Sequence, residues 1–244
     1  FIHFWFIISF ITLTSHYHYI RRALIKWISS AIFNKDGSEA EVCGNALRCI
    51  GKSYFKKFNK TNLTVETNSG LIDVERQSDG NIGVDLGKPN LTWNKIPLNY
   101  QIDTSDLNFD LKYLKGGFAI NVGNPHLIFF VEKLNKKELE TDSNKILKQN
   151  FFPKGVNISA VKIISKNQIN ILTFERGIGL TKACGSGAGA SAFVSYKSKL
   201  CDKKIKVNMS GGNLNVEITE DGHILTIGEA KLVYEGKINL DGFV

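Results

Sequence analysis

Cysteine is scarce in this chain, with four among 244 residues. The four, at positions 43, 49, 184 and 201, include no C-x-x-C pair, and the spacing between Cys43 and Cys49 fits no common zinc site. No metal is therefore expected. A lysine-rich chain with so few cysteines and no convincing export signal points to the cytoplasm, where thiols stay reduced. Long apolar segments are lacking as well. The aromatic-heavy run Phe1 to Leu13 is too short to span a membrane, and no basic segment or initiator Met precedes it as a signal peptide would require. That run reads as the edge of an incomplete or mis-joined reading frame, or else as a buried strand or helix leading into the first domain. Acidic residues are in deficit, 23 against 31 basic ones, for a net charge of +8. The lysines are scattered through loops, however, without an aromatic-interleaved basic helix, so neither a nucleic acid nor a membrane is an expected partner. The charge excess suits an anionic small substrate.

What is present is a soluble globular composition, 43% hydrophobic and 22% charged. The length admits two domains of about 100 to 150 residues, each burying its own core. Two glycine-rich turns dominate the pattern. Lys182-Ala-Cys-Gly-Ser-Gly-Ala-Gly-Ala-Ser191 delivers Cys184 to the start of a helix, and Glu41-Val-Cys-Gly-Asn-Ala-Leu-Arg-Cys-Ile50 does the same for Cys43 ahead of the apolar positions Ala46, Leu47, Ile50, Tyr54 and Phe55. The first N–H groups of a helix have no internal acceptor and carry partial positive charge, which favours a thiolate and attracts carboxylates.

The segments after the two cysteines also match. Val65-Glu-Thr-Asn-Ser-Gly-Leu-Ile-Asp-Val-Glu75 and Asp79-Gly80 follow Cys43; Val207-Asn-Met-Ser-Gly-Gly-Asn-Leu-Asn-Val-Glu217 and Asp221-Gly222 follow Cys184. The cysteine precedes the valine by 22 residues in one copy and by 23 in the other. A repeat this long predicts two like domains related by a pseudo-twofold, each offering one cysteine at one helix start. Elsewhere the pattern predicts a strand ending at Ile32-Phe33, a turn at Asn34 to Ser38, and a helix from Cys43 to about Phe58. Strands are expected over 63–67, 71–77 and 82–86, and near 99–102, 111–113, 117–122 and 127–131. A helix over 138–149, strands over 157–161 and 168–175, and a helix over about 188–200 complete the reading, with 234–244 returning to pair with the first domain.

Three separated stretches, Cys43-Gly-Asn-Ala-Leu-Arg-Cys49, Gly123-Asn-Pro-His126 and Glu175-Arg-Gly-Ile-Gly-Leu-Thr-Lys-Ala-Cys-Gly-Ser-Gly187, resemble the diaminopimelate epimerase family over roughly residues 31–244. The resemblance implies an α/β (α+β) fold of two pseudo-symmetric domains, each a mostly antiparallel barrel-like sheet around a central helix. The domains are expected at 1–88, with 1–30 atypical and 236–244 completing the first, and at 89–235. It further implies cofactor-independent, two-base epimerisation of LL-diaminopimelate to meso-diaminopimelate, in lysine and peptidoglycan precursor biosynthesis. By motif, Cys43 and Cys184 resemble the acid/base pair. Asn34, Gly44, Asn45, Asn124, Asn157, Glu175, Arg176, Gly185 and Ser186 fall where the family binds substrate, and His126 and Glu175 where it tunes the thiols. The partner implied is the small-molecule substrate, and a homodimer is compatible with the resemblance.

Cys49, Cys201 and the amino-terminal histidines carry no expected role. The family's Gly-Asn-Asp-Phe segment has no counterpart before Ala31, so an incomplete first barrel with weak epimerisation is expected. Two alternatives stay open: a proline or hydroxyproline-type racemase, and a non-catalytic homologue with a redox-responsive cysteine pair.

Overall fold

The computed structural model describes residues 43–233 and the backbone of 27–29. The expected strand end at Ile32-Phe33, the turn at 34–38, Asn34 itself and the returning segment 234–244 lie outside the described residues.

Strand β1 (Trp27–Ser29) runs parallel to β2 (Asn62–Thr67). Between them α1 (Gly44–Phe58) starts at Cys43, whose backbone is extended (φ −136°, ψ 96°), and ends at Asn59, which is left-handed. Lys56 and Lys57 sit in its last turn and complement the helix dipole. The meander β2, β3 (Gly70–Arg76) and β4 (Ile82–Asp85) packs its alternate residues Leu63, Val65, Ile72, Val74, Ile82 and Val84 into the core beside Leu47 and Phe55. Gly51 permits this approach, because a Cβ there would lie 2.6 Å from Val74 Cγ1.

The middle of the chain adds the small hairpin β5 (Phe109–Asp110) and β6 (Lys115–Gly116), then β7 (Phe118–Asn121), β8 (Pro125–Phe130), α2 (Lys136–Leu147), β9 (Asn157–Ser165), β10 (Gln168–Glu175) and β11 (Gly179–Thr181). Asn135 caps α2 by accepting from the N–H groups of Lys137 and Glu138. The strands expected near 99–102 and 111–113 are not formed. The first stretch has Asn99 bonded to Phe151 O without a strand beside it, and the second is the turn between β5 and β6, closed by Leu111 N–H to Leu114 O.

Helix α3 (Gly185–Lys197) then begins at Cys184 and leads to β12 (Lys204–Met209), β13 (Gly212–Ile218) and β14 (Ile224–Gly228). It starts three residues earlier than its composition suggests, since glycine is a weak helix former. Its small residues have a packing cause. The helix is buried from Gly185 to Ser195 and is enclosed by strands from β7 to β14. A Cβ on Gly189 would come within 2.9 Å of Leu86 Cδ1.

The pairings repeat with one register. Asn62 pairs with Glu75 and Lys204 with Glu217; Val74 pairs with Val84 and Val216 with Thr226. Every member of the second set lies 142 positions after its counterpart. The two meanders join antiparallel through β4 and β14, where Val84 faces its own counterpart Thr226. A pseudo-twofold therefore passes through that pair, and one twelve-stranded, mostly antiparallel sheet runs through both halves. The mixed α/β architecture is the expected one, but the sheets of the two repeats are continuous. One hydrophobic cluster includes residues of both α1 and α3, and a second lies under α2, centred on Phe129, Leu139 and Ile158.

Candidate active site

The two cysteine turns meet. Cys43 and Cys184 each precede the first residue of a helix in extended conformation. A Cβ on Gly185 would lie 3.4 Å from Asn45 Oδ1 and 3.8 Å from both Asn45 N and Gly44 Cα, so the opening turns of α1 and α3 touch. The first helical bonds are Leu47 N–H to Cys43 O and Ala188 N–H to Cys184 O. The N–H groups of Gly44, Asn45, Gly185 and Ser186 therefore have no intrahelical acceptor, and two positive helix ends converge.

Cys184 is buried; its Sγ accepts from Gly187 N at 3.4 Å and lies 3.6 Å from Ser186 Oγ. Burial, and then the nearby Glu175 carboxylate, push its thiol well above the ordinary range, against the pull of Ser186 and the Gly187 amide. Burial also raises the half-buried Cys43. There the amides of Ala46 and Asn45 pull it down, Glu175 pushes it up, and Arg48 lowers it. Glu175 thus acts on both thiols. Its own carboxyl is raised by burial, with the Thr181 and Cys184 side chains drawing it back.

Beside the first turn of α3, His126 Nε2 lies 2.9 Å from Asn124 Oδ1 and 3.1 Å from Ser186 Oγ. The amide oxygen only accepts, so Nε2 carries the proton. The ring is fully buried, and desolvation, helped by the Arg176 charge, pulls its pKa down to about 3. It is neutral at physiological pH. Asn157 is a buried brace, giving Nδ2–H to Pro125 O (3.1 Å) and accepting Arg176 N–H on Oδ1 (2.9 Å). The Arg176 guanidinium reaches back to Lys154 O at 3.1 Å. Among the described residues, no group of three or more His, Cys, Asp or Glu is arranged to hold a metal ion. None of the described helices is long and apolar enough to cross a membrane.

The diaminopimelate epimerase family model matches residues 8–92 and 118–233. The chain belongs to the diaminopimelate epimerase family. The match begins upstream of residue 31, where the resemblance read from the motifs was expected to start. The chain is 36% identical over 216 residues to a diaminopimelate epimerase of Zymomonas mobilis, covering 88% of this chain and 78% of that one. It is 37% identical over 228 residues to one of Methanocaldococcus jannaschii, covering 85% and 77%. Among solved structures, a probable proline racemase from Agrobacterium radiobacter K84 superposes with a TM-score of 0.61 at 13% identity, over 88% of this chain and 73% of that one. A PhzF-family protein from Enterococcus faecalis gives 0.58 at 16% identity, over 88% and 79%. These two share the fold.

The described residues among those assigned by resemblance to diaminopimelate epimerases form one connected set. Cys43, Gly44, Asn45, Glu175, Cys184, Gly185 and Ser186 gather at the junction of the helix starts. Asn124 and His126 join them through Ser186, and Asn157 and Arg176 join through the end of β10. The sequence reading gave no role to Arg48, which is buried one turn into α1. Its signal was present as a basic residue among the apolar positions Ala46, Leu47 and Ile50.

Proposed function

We propose that the chain epimerises LL-diaminopimelate to meso-diaminopimelate without a cofactor, as a step of lysine and peptidoglycan precursor biosynthesis. The observation that carries the reading is the meeting of two cysteine-led helix starts beside one half-buried glutamate. Diaminopimelate bears an amino-acid group at each end. The amides of Gly44, Asn45, Gly185 and Ser186 receive the α-carboxylate of the reacting end, and Glu175 and Arg176, with Asn124 and Asn34, hold ammonium and carboxylate groups, while Asn157 braces the Arg176 backbone.

In the reaction a thiolate takes the α-proton, so that a C–H bond breaks and an S–H bond forms. Negative charge then builds on the α-carbon and spreads into the carboxylate, where the two helix ends stabilise it. The opposite thiol gives its proton to the other face and becomes the thiolate. Cys43 acts as the base in this scheme: burial raises its thiol, and two first-turn amides and Arg48 offset part of that rise. Cys184, more deeply buried and pressed by Glu175, is the resting thiol. His126 holds Ser186 in place as a neutral donor. In this reading the catalytic cleft lies between a first half ending at residue 88 and a second running over 89–235.

Incubation with diaminopimelate in D2O tests this. Wild-type protein is expected to exchange the α-hydrogen without consuming reductant, and Cys43→Ala and Cys184→Ala each to abolish epimerisation. Exchange of proline but not diaminopimelate would move the assignment to a proline-type racemase. No exchange of either substrate would sink the enzymatic reading and leave a binding protein with a redox-responsive thiol pair.

A further inference from the structure

We propose that Arg48 is a positioning residue of this site: it fixes the Asn45 carboxamide at the meeting point of the two helix starts, and it holds a positive charge behind the Cys43 turn. The inference rests on the two-cysteine reading above. Arg48 is only 6% exposed. One terminal nitrogen, Nη2, donates to Asn45 Oδ1, while Nε and Nη1 are buried without a hydrogen-bond partner. A guanidinium has no acceptor, so the amide must offer it oxygen and turn its two N–H groups the other way. Asn45 is exposed, and its Oδ1, the atom that Arg48 holds, is also the one nearest Gly185, so the carboxamide is fixed where the two helix starts meet.

The placement is built, and it is built on one side. A Cβ on Gly228 of β14 would stand 3.4 Å from Arg48 Nε and 3.8 Å from Cδ, so a glycine leaves room for the side chain; a Cβ on Gly44 would stand 3.8 Å from Nη1. A buried guanidinium without a carboxylate is destabilising, and an apolar side chain of like volume would serve packing better. In the second repeat the residue five positions after the cysteine is Gly189, pressed against Leu86. Cys184 thus has no such cation behind it. The titratable groups acting on Arg48 are Cys49 and Cys43 on its own helix, and Glu175 of β10 acts on Cys43 in turn. Strand β14, packed over Arg48, contains no titratable side chain.

The test follows iodoacetamide alkylation of each cysteine by peptide mass spectrometry across pH, with no substrate present. The pH of inflection reports the thiolate and does not depend on how accessible each sulfur is. In Arg48→Met the Cys43 inflection is expected to move to higher pH, with slower alkylation at pH 7, while Cys184 changes less than about twofold. Arg48→Lys keeps the charge and is expected to hold the Cys43 inflection near wild type. It loses the planar grip on Asn45, so KM for diaminopimelate rises more than kcat falls.

A folded Arg48→Met with the wild-type Cys43 profile overturns the proposal, as does an Arg48→Lys variant whose Cys43 inflection moves as far as the Met variant's. Should Arg48→Met not fold, Arg48→Gln decides by the same measurement: its Cys43 inflection must move to higher pH than in the wild type, and an unchanged inflection overturns the proposal. If wild type exchanges no α-hydrogen, only the functional reading fails, and the alkylation profiles still decide the role of Arg48.

Discussion

Acid should unfold this protein through one buried imidazole. His126 has a folded pKa of about 3, against an ordinary value near 6.5 in the unfolded chain. Below pH 6.5 the unfolded chain takes up a proton that the folded one refuses, so stability falls with pH until about pH 3 and levels off beneath it. At pH 5 the folded ring is still essentially neutral, and the loss is set by the unfolded state's titration alone. That loss is about 2 kcal/mol relative to pH 8, a large part of the 5–15 kcal/mol typical of a folded domain. Other groups titrate too, so the comparison is with His126→Gln, which keeps an N–H for Asn124 and Ser186 but does not titrate. Urea denaturation at pH 8 and pH 5 should show the wild type losing about 2 kcal/mol more than the variant between the two conditions. Equal losses would mean that His126 is hydrated or protonated in the folded state, and the neutral-donor role for it would fail.

Two further predictions concern packing and electrostatics. Gly51→Ala gains about 1 kcal/mol of helix propensity but drives a methyl to 2.6 Å from the stiff Val74 side chain, an overpacking cost of about 1–3 kcal/mol. The net effect is destabilisation, read as a lower melting temperature, and an unchanged or higher one would show that α1 can lift from the sheet freely. Glu175→Gln removes the carboxylate that raises both thiols, so the alkylation inflection should move to lower pH, further for Cys184 than for Cys43; an upward move of either would contradict the described surroundings.

The paired helix starts and their following meanders were legible because each rests on local chemistry: glycine-rich turns, strict alternation at Leu63 to Val74, and matched Asp-Gly turns. Strand β10 was legible over its full length for the same reason. What sequence did not announce is tertiary. The early start of α3 at Gly185 reflects enclosure by strands, which overrides the weak helix propensity of glycine. The segment 99–102 has strand-like residues but no neighbouring strand to bond. Strand β11 is three residues long and exists only as a partner to β10. Arg48 was read as part of a motif and given no task, since burial of a cation follows from Gly228, far away in the chain. Among the candidate site residues, the motifs named Cys43, Glu175, Cys184 and Ser186, which lie close together in the structure, but nothing local announced the commitment of Asn157 to Pro125 and Arg176.

The facing of Val84 and Thr226 has a consequence for ancestry and for dissection of the molecule. A strand that meets its own equivalent antiparallel, like position against like position, could dock in the same manner onto a second copy of itself. Each half cut free would bare that strand as an unpaired border, open to self-association. Fusing both halves into one polypeptide makes the encounter intramolecular and independent of concentration, and it then allows one half to acquire an arginine where the other keeps a glycine.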